Sequence, residues 1–233
     1  MARVLSRKRS FFRWLGGTIG RKGMQAWAKE LLDKVDVDEF IASGGRYLDV
    51  GCGLGYCMAE LASRPRARSA RLFGVDLFTY PTDPVQQQLG HNFALADATV
   101  LPFGPATFDG ATLLFVLHHM ARADHAAVVG ELSRVVGGGP GRFICIAEDL
   151  VETPEEWPLV EEIDRKLNFE SKRQAHSYRS HADWLAFFQE LRLDVVRSHV
   201  FTTTIKARQP WINWRPEPVE RKHGVYVLHA HPN

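Results

Sequence analysis

Cysteine is scarce in this 233-residue sequence: Cys52, Cys57 and Cys145 are the three it has. They form no C-x-x-C pair and no framework with histidine, so neither a disulfide scaffold nor a thiolate zinc site is expected. Each lies in or beside an apolar run, as small buried side chains do. No metal is expected. Long hydrophobic runs are missing as well. The longest uncharged one, "GATLLFVLHHMA" (110 to 121), falls short of the roughly 20 residues a membrane span requires. Arg13 and Arg21 interrupt what would be the apolar part of a signal peptide, and no A-x-A-like cleavage site follows. A soluble, cytoplasmic protein is the expectation. Net charge is also small, +2 at pH 7, which gives no global reason to expect nucleic acid.

What is present suits one α/β domain with attachments: 45% apolar and 24% charged residues. The charge is uneven. Residues 1 to 30 carry eight Lys or Arg against one acid, Glu30, together with Phe11, Phe12, Trp14 and Leu15. Residues 1–40 therefore read as a basic helical cap. Its first 22 residues also have the make-up of a helix that lies on a membrane surface or an acidic partner, and an Arg-rich, acid-poor lead is shared by transit peptides. Residues 41–233 form the main domain.

Along that domain apolar runs and helical patterns alternate. "RYLDVGC" (46 to 52), "RLFGVDL" (71 to 77), "NFALAD" (92 to 97), "FDGATLLFV" (108 to 116) and "GRFICIAED" (141 to 149) read as strands, the last two nearly continuous in apolar residues, as parallel strands covered on both faces are. Val128, Val129, Leu132, Val135 and Val136 share one face of a helix that "GGGPG" ends. Ser180 and Asp183 form a candidate capping box before a helix bearing Trp184, Phe187, Phe188 and Leu191. "LDVVRSHVF" (193 to 201) and "VYVLHA" (225 to 230) follow with no helix between them. They suggest an antiparallel pair at one edge of a doubly wound sheet of seven mostly parallel strands, with an antiparallel C-terminal edge strand.

"YLDVGCGLGY" (47 to 56) places glycines at 51, 53 and 55 between a strand and a helix, where backbone comes close to a ligand. The third glycine falls one place early for the dinucleotide fingerprint. No Lys-Ser/Thr follows, so a phosphate-cradling loop is excluded. This spacing, after a strand holding Asp49, resembles the first motif of class I S-adenosylmethionine-dependent methyltransferases, and the resemblance runs over roughly residues 40 to 150. Asp76 ends the second strand where that family binds the cofactor's ribose hydroxyls. Asp97-Ala98 follow the third strand where it contacts adenine. The resemblance implies S-adenosylmethionine as cofactor, held by Asp49, Gly51, Gly53, Gly55, Asp76, Leu77, Asp97, Ala98 and Phe115.

The acceptor is less specified. The fourth-strand segment carries no Asn/Asp-Pro-Pro-Tyr, and no Pro-Cys pair offers a cysteine nucleophile, so amine and pyrimidine C5 methylation are disfavoured. "VLHHM" is similar to small-molecule methyltransferases, including those of ubiquinone and menaquinone synthesis. His118 and His119 are candidate bases at the carboxyl edge of the sheet, or braces for the backbone. Asp149 is a third catalytic candidate beside Glu148. Glu148 is an acceptor-side candidate at that sheet edge, and segments 150–180 and 202–224 are candidate lids on the acceptor side, contributing Asn168, Glu170, His176, Tyr178, Arg179, Trp211 and Trp214. The expected function is methyl transfer to oxygen or carbon of a small molecule. The alternatives are an RNA methyltransferase using the basic lead and a cofactor-binding protein without turnover. A nicotinamide oxidoreductase is a more distant one.

Overall fold

In the computed structural model, which describes residues 21–78, 92–167, 176–208 and 213–231, seven strands form one sheet in the order β3-β2-β1-β4-β5-β7-β6. They are β1 (Arg46–Val50), β2 (Arg71–Asp76), β3 (Phe93–Leu95), β4 (Gly110–Leu114), β5 (Phe143–Leu150), β6 (Leu193–Ile205) and β7 (Val219–Ala230). Neighbouring strands from β3 through β5 pair in parallel. β7 runs antiparallel to both its neighbours. The antiparallel C-terminal strand therefore lies one place inside the edge, and β6 is the edge itself.

Alternation along the strands divides the core into two layers. Leu48, Val50, Ile144, Ile146, Tyr226 and Leu228 face one way. They meet Val128, Val129, Leu132 and Val135 of α3 (His125–Val136) and Trp184 and Phe188 of α5 (His181–Glu190). On the other face Tyr47, Phe143, Cys145, Val225 and Val227 meet α1 (Arg21–Lys34) and α2 (Tyr56–Ser63). Ala28, Leu31, Leu32 and Val35 recur at helical spacing and are all buried. Burying each of the two leucines contributes roughly 1.5–3 kcal/mol over leaving it in water. Residues 21–34 thus cap this face, while residues 1–20, the most basic part of the lead, lie outside the described residues.

The Ser180 hydroxyl accepts the Asp183 amide at 3.1 Å and the Asp183 carboxylate faces the Ser180 amide, so the capping box starts α5. α4 (Trp157–Leu167) precedes it. The hairpin is longer than its apolar runs suggest. Thr202 pairs Lys222 and Thr204 pairs Glu220, polar cross-strand partners on a ribbon with one wet face, where hydrophobic alternation is weak.

Candidate functional site

The glycine turn sits where the sheet changes winding direction, between β1 and β4. The amides of Gly51 and Cys52 both donate to Val75 O, at 2.8 and 3.0 Å, which draws the end of β1 against β2. Gly51, Gly53 and Gly55 all have positive φ, +71°, +50° and +79°, a region open to glycine at little cost. A Cβ at Gly51 would lie 2.3 Å from Val116 Cγ2, whereas one at Gly53 would meet nothing within 4 Å. Gly53 therefore borders open space and donates its amide to Asp76 Oδ2 at 2.8 Å. Asp76 Oδ1 accepts the Phe78 amide at 2.9 Å. Partial burial raises the Asp76 carboxyl above its ordinary value, against these amide bonds.

Asp49 lies directly across from Thr112 in the β1–β4 register. Its Oδ1 accepts the Thr112 hydroxyl at 2.6 Å, while its buried Oδ2 has no hydrogen-bond partner. Burial, opposed by the Thr112 hydrogen bond and reinforced by the Asp76 charge, pushes this carboxyl up to about 7. Leu77 is exposed beside Asp76. Asp97 is also exposed, and its Oδ1 accepts the amide and the hydroxyl of Thr99 at 2.8 and 2.7 Å. Ala98 packs against the core next to it. Phe115 takes a φ of +59° after β4. Its ring stacks on Trp27 of α1 at 6.1 Å and meets His223 edge-on, so it is engaged with the capping helix rather than pointing free at the turn.

The two histidines after β4 are drawn into the protein. His118 is 1% exposed; its Nδ1 lies 2.6 Å from Glu148 Oε2 and its Nε2 3.4 Å from Asp164 Oδ1. Burial lowers its pKa, but Glu148, then Asp164 and Asp149, outweigh that and hold it near 10. A ring buried and held between Glu148 and Asp164 is not a free base, which corrects the expectation for His118. His119 is 18% exposed, and burial together with the His118 charge pushes it down to about 3. Glu148 does not line an acceptor space. It is fully buried and accepts the amides of Val116 and Leu117 at 3.0 and 2.7 Å, bracing the turn out of β4.

Asp149 is likewise buried and bound, to Arg221 and, at 2.7 Å, to His223 Nδ1. Burial raises its carboxyl, and Arg221, His223 and His118 together override this, leaving it at about 2. It braces β5 against β7, and a role as general base does not fit. His176 bonds Asp164 Oδ2 through Nε2 at 2.8 Å. The Tyr178 ring lies nearly parallel to those of His118 and His176, at 5.5 and 6.0 Å, and these two are 6.4 Å from each other. Arg179 bonds His125 and lies over the Trp184 and Phe187 rings. These three supposed lid residues are buried. Trp214 is largely exposed, while Asn168, Glu170 and Trp211 lie outside the described residues.

Four residues at this end of the sheet escaped the sequence reading: Thr112, Asp164, Arg221 and His223. Asp164 had a signal, since it shares a helical face with Val160 and Ile163, where an acid interrupts an amphipathic stripe. Thr112 becomes visible only once β1 and β4 are placed side by side.

A strand order reversing at the glycine turn, with acids at the ends of β1 and β2 facing it, is the arrangement the resemblance to class I S-adenosylmethionine-dependent methyltransferases implies. Residues 48–145 match the family described as "Methyltransferase domain". An O-methyltransferase of Penicillium expansum is 32% identical over 120 residues, 48% of this chain and 41% of that protein. An O-methyltransferase of Aspergillus nomiae is 32% identical over 112 residues, 45% of this chain and 47% of its own length. The chain thus spans under half the length of these curated relatives. Among solved structures, a putative methyltransferase of Bacillus halodurans superposes with a TM-score of 0.62 at 16% identity, over 88% of this chain and 99% of that one, a likeness of fold.

The residues present fit S-adenosylmethionine, the cofactor that the resemblance implies. Asp49 keeps a buried carboxylate oxygen without a partner beside the turn, suited to the cationic amino-acid end. Asp76 is held at the turn's outer side by two amides, suited to ribose hydroxyls.

Proposed function

We propose that the protein transfers a methyl group from S-adenosylmethionine to oxygen of a small-molecule acceptor, with carbon as the second possible atom. The observation that carries this reading is the turn itself: Gly53 bordering open space, with Asp49 and Asp76 held on either side of it. The two similar O-methyltransferases support oxygen as the acceptor atom. Nothing in them, or in the described part of α1, supports a membrane-surface or acidic partner.

The bound cofactor supplies an electrophilic methyl on a sulfonium. The chain's task is then to hold donor and acceptor in line, because a displacement of this kind gains most from orientation. Gly51 lets the turn close onto Val116 without a clash. Glu148 fixes the segment out of β4 by its two backbone amides, and His118 fixes Glu148. Since His118 and Asp149 are buried and held by neighbouring side chains, acceptors that ionise readily, such as phenols and enols, suit this site best.

Calorimetry with S-adenosylhomocysteine, followed by a labelled-methyl assay over a panel of phenols, enols and hydroxy acids, tests the reading. Binding with transfer to at least one hydroxyl is expected. Absence of S-adenosylhomocysteine binding would overturn it, and binding without any transfer would favour a cofactor-binding protein without turnover.

A further inference from the structure

Where β4 ends, three ligand-type atoms from two elements converge. His118 Nε2 and His119 Nδ1 come from the short 3₁₀ turn Leu117–His119, and the Asp164 carboxylate comes from α4. All lie within 4.8 Å of one another. His118 Nε2 stands 3.4 Å from Asp164 Oδ1 and His119 Nδ1 stands 3.6 Å from Asp164 Oδ2. Neither nitrogen completes a hydrogen bond, although both are buried. We propose that His118, His119 and Asp164 hold a divalent transition-metal ion of the zinc type, a site the scarcity of cysteine gave no reason to expect.

Three features favour an ion over a network of protons. The first is spacing. Ligand atoms about 2.0–2.1 Å from a tetrahedral ion stand about 3.4 Å apart, close to both separations from Asp164 and too long for good hydrogen bonds. The second is the support around the ligands. His118 turns its other nitrogen, Nδ1, to the fully buried Glu148 at 2.6 Å, and Glu148 is itself fixed by two backbone amides. A carboxylate behind a metal-binding imidazole sets its tautomer and raises its basicity. His176 Nε2 at 2.8 Å does the corresponding service for Asp164 Oδ2, and Glu161 holds the far nitrogen of His176 at 3.2 Å.

The third is the donor set. Two imidazoles and one carboxylate suit zinc, cobalt or iron, while magnesium and calcium prefer oxygen throughout. Three protein ligands leave at least one coordination position open. His119, the least buried of the three, marks the side from which it is reached. Such an ion would also join α4 to the end of β4. The inference stands on these three residues and does not depend on the methyl-transfer reading.

The test is metal binding by the full chain, prepared without a histidine tag, stripped with EDTA and freed of chelator. Zn2+ is titrated against a chromophoric competitor, and Co2+ is followed by its visible absorption. One equivalent should bind, with the intense cobalt spectrum of low coordination number. His119→Ala and Asp164→Asn should each weaken binding at least about ten-fold while circular dichroism and cooperative urea unfolding show that both variants fold. His119→Ala removes a partly exposed ring, so it guards against misfolding of the other. Failure of the wild-type chain to bind either ion in molar excess would overturn the proposal. So would binding undiminished in both variants, since it would place the ion elsewhere.

Discussion

The amide of Gly53 donates to the Asp76 carboxylate across 2.8 Å, so the middle glycine of the turn and the last residue of β2 hold each other in place. This bond couples the part of the turn that borders open space to the carboxylate we propose for the cofactor's ribose. Asp76→Ala removes the acceptor for those hydroxyls and frees the Gly53 amide. S-adenosylhomocysteine affinity should fall roughly 5- to 150-fold, the equivalent of about 1–3 kcal/mol. Calorimetry reads the change, and unaltered affinity would remove Asp76 from the cofactor site.

Gly51 has a positive φ and no room for a side chain, since an added Cβ would meet Val116 Cγ2 at 2.3 Å. Gly51→Ala should destabilise the fold by roughly 1–3 kcal/mol from overpacking and backbone strain together. Only the first part is relieved by trimming Val116. A double-mutant cycle with Val116→Ala in urea unfolding should therefore show favourable coupling of at least about 0.5 kcal/mol. Strict additivity would mean that the turn moves away from Val116 at no cost.

Asp49 carries a pH signature. Burial and the Asp76 charge raise its carboxyl to about 7, against the Thr112 hydrogen bond. A cationic amino-acid group binding near its unpaired Oδ2 favours the carboxylate, so the complex should bind with proton release. Affinity for S-adenosylhomocysteine should rise as pH increases through about 7 and then level off. Calorimetry in buffers of different ionisation enthalpy measures the released proton. Asp49→Asn should abolish it, and release that survives in this variant would assign the proton to another group.

The parts of this site that were legible from the sequence are those whose chemistry is local. The glycine spacing, Asp49 and Asp76 lie within one strand-turn-helix-strand unit, where a chain position and a backbone requirement coincide. The histidines were legible as residues of the right kind in the right place. Their state was not, because it depends on Glu148 from β5 and Asp164 from α4, contacts between elements far apart in the chain. Burial against Glu148 and Asp164 turned a candidate base at His118 into an enclosed, partnered ring, and only the assembled sheet edge determines that. The strand hairpin was under-read for a different reason: paired threonines and charges at its outer end have no apolar alternation to follow.

Asp149 and Arg221 make the most directly pH-testable bond in the fold. Asp149 is fully buried in β5 and Arg221 reaches it from the adjoining β7, with His223 on the second carboxylate oxygen at 2.7 Å. Burial alone would raise the carboxyl; Arg221, His223 and His118 together outweigh it and hold the carboxyl at about 2 against an ordinary 3.8. A folded-state value below the unfolded one stabilises the protein above the unfolded value, and that stability is lost as pH falls from about 4 toward 2. The difference corresponds to about 2 kcal/mol. Urea midpoints across this range should show the loss, and Asp149→Asn should flatten this part of the profile. Arg221→Met tests the pair from the other side. It leaves a buried carboxylate without its guanidinium and should destabilise by roughly 3–5 kcal/mol near neutral pH. Protonation relieves the stranded charge, so this variant should be destabilised least in acid, and a deficit that stays constant with pH would mean the pair is screened by solvent rather than buried.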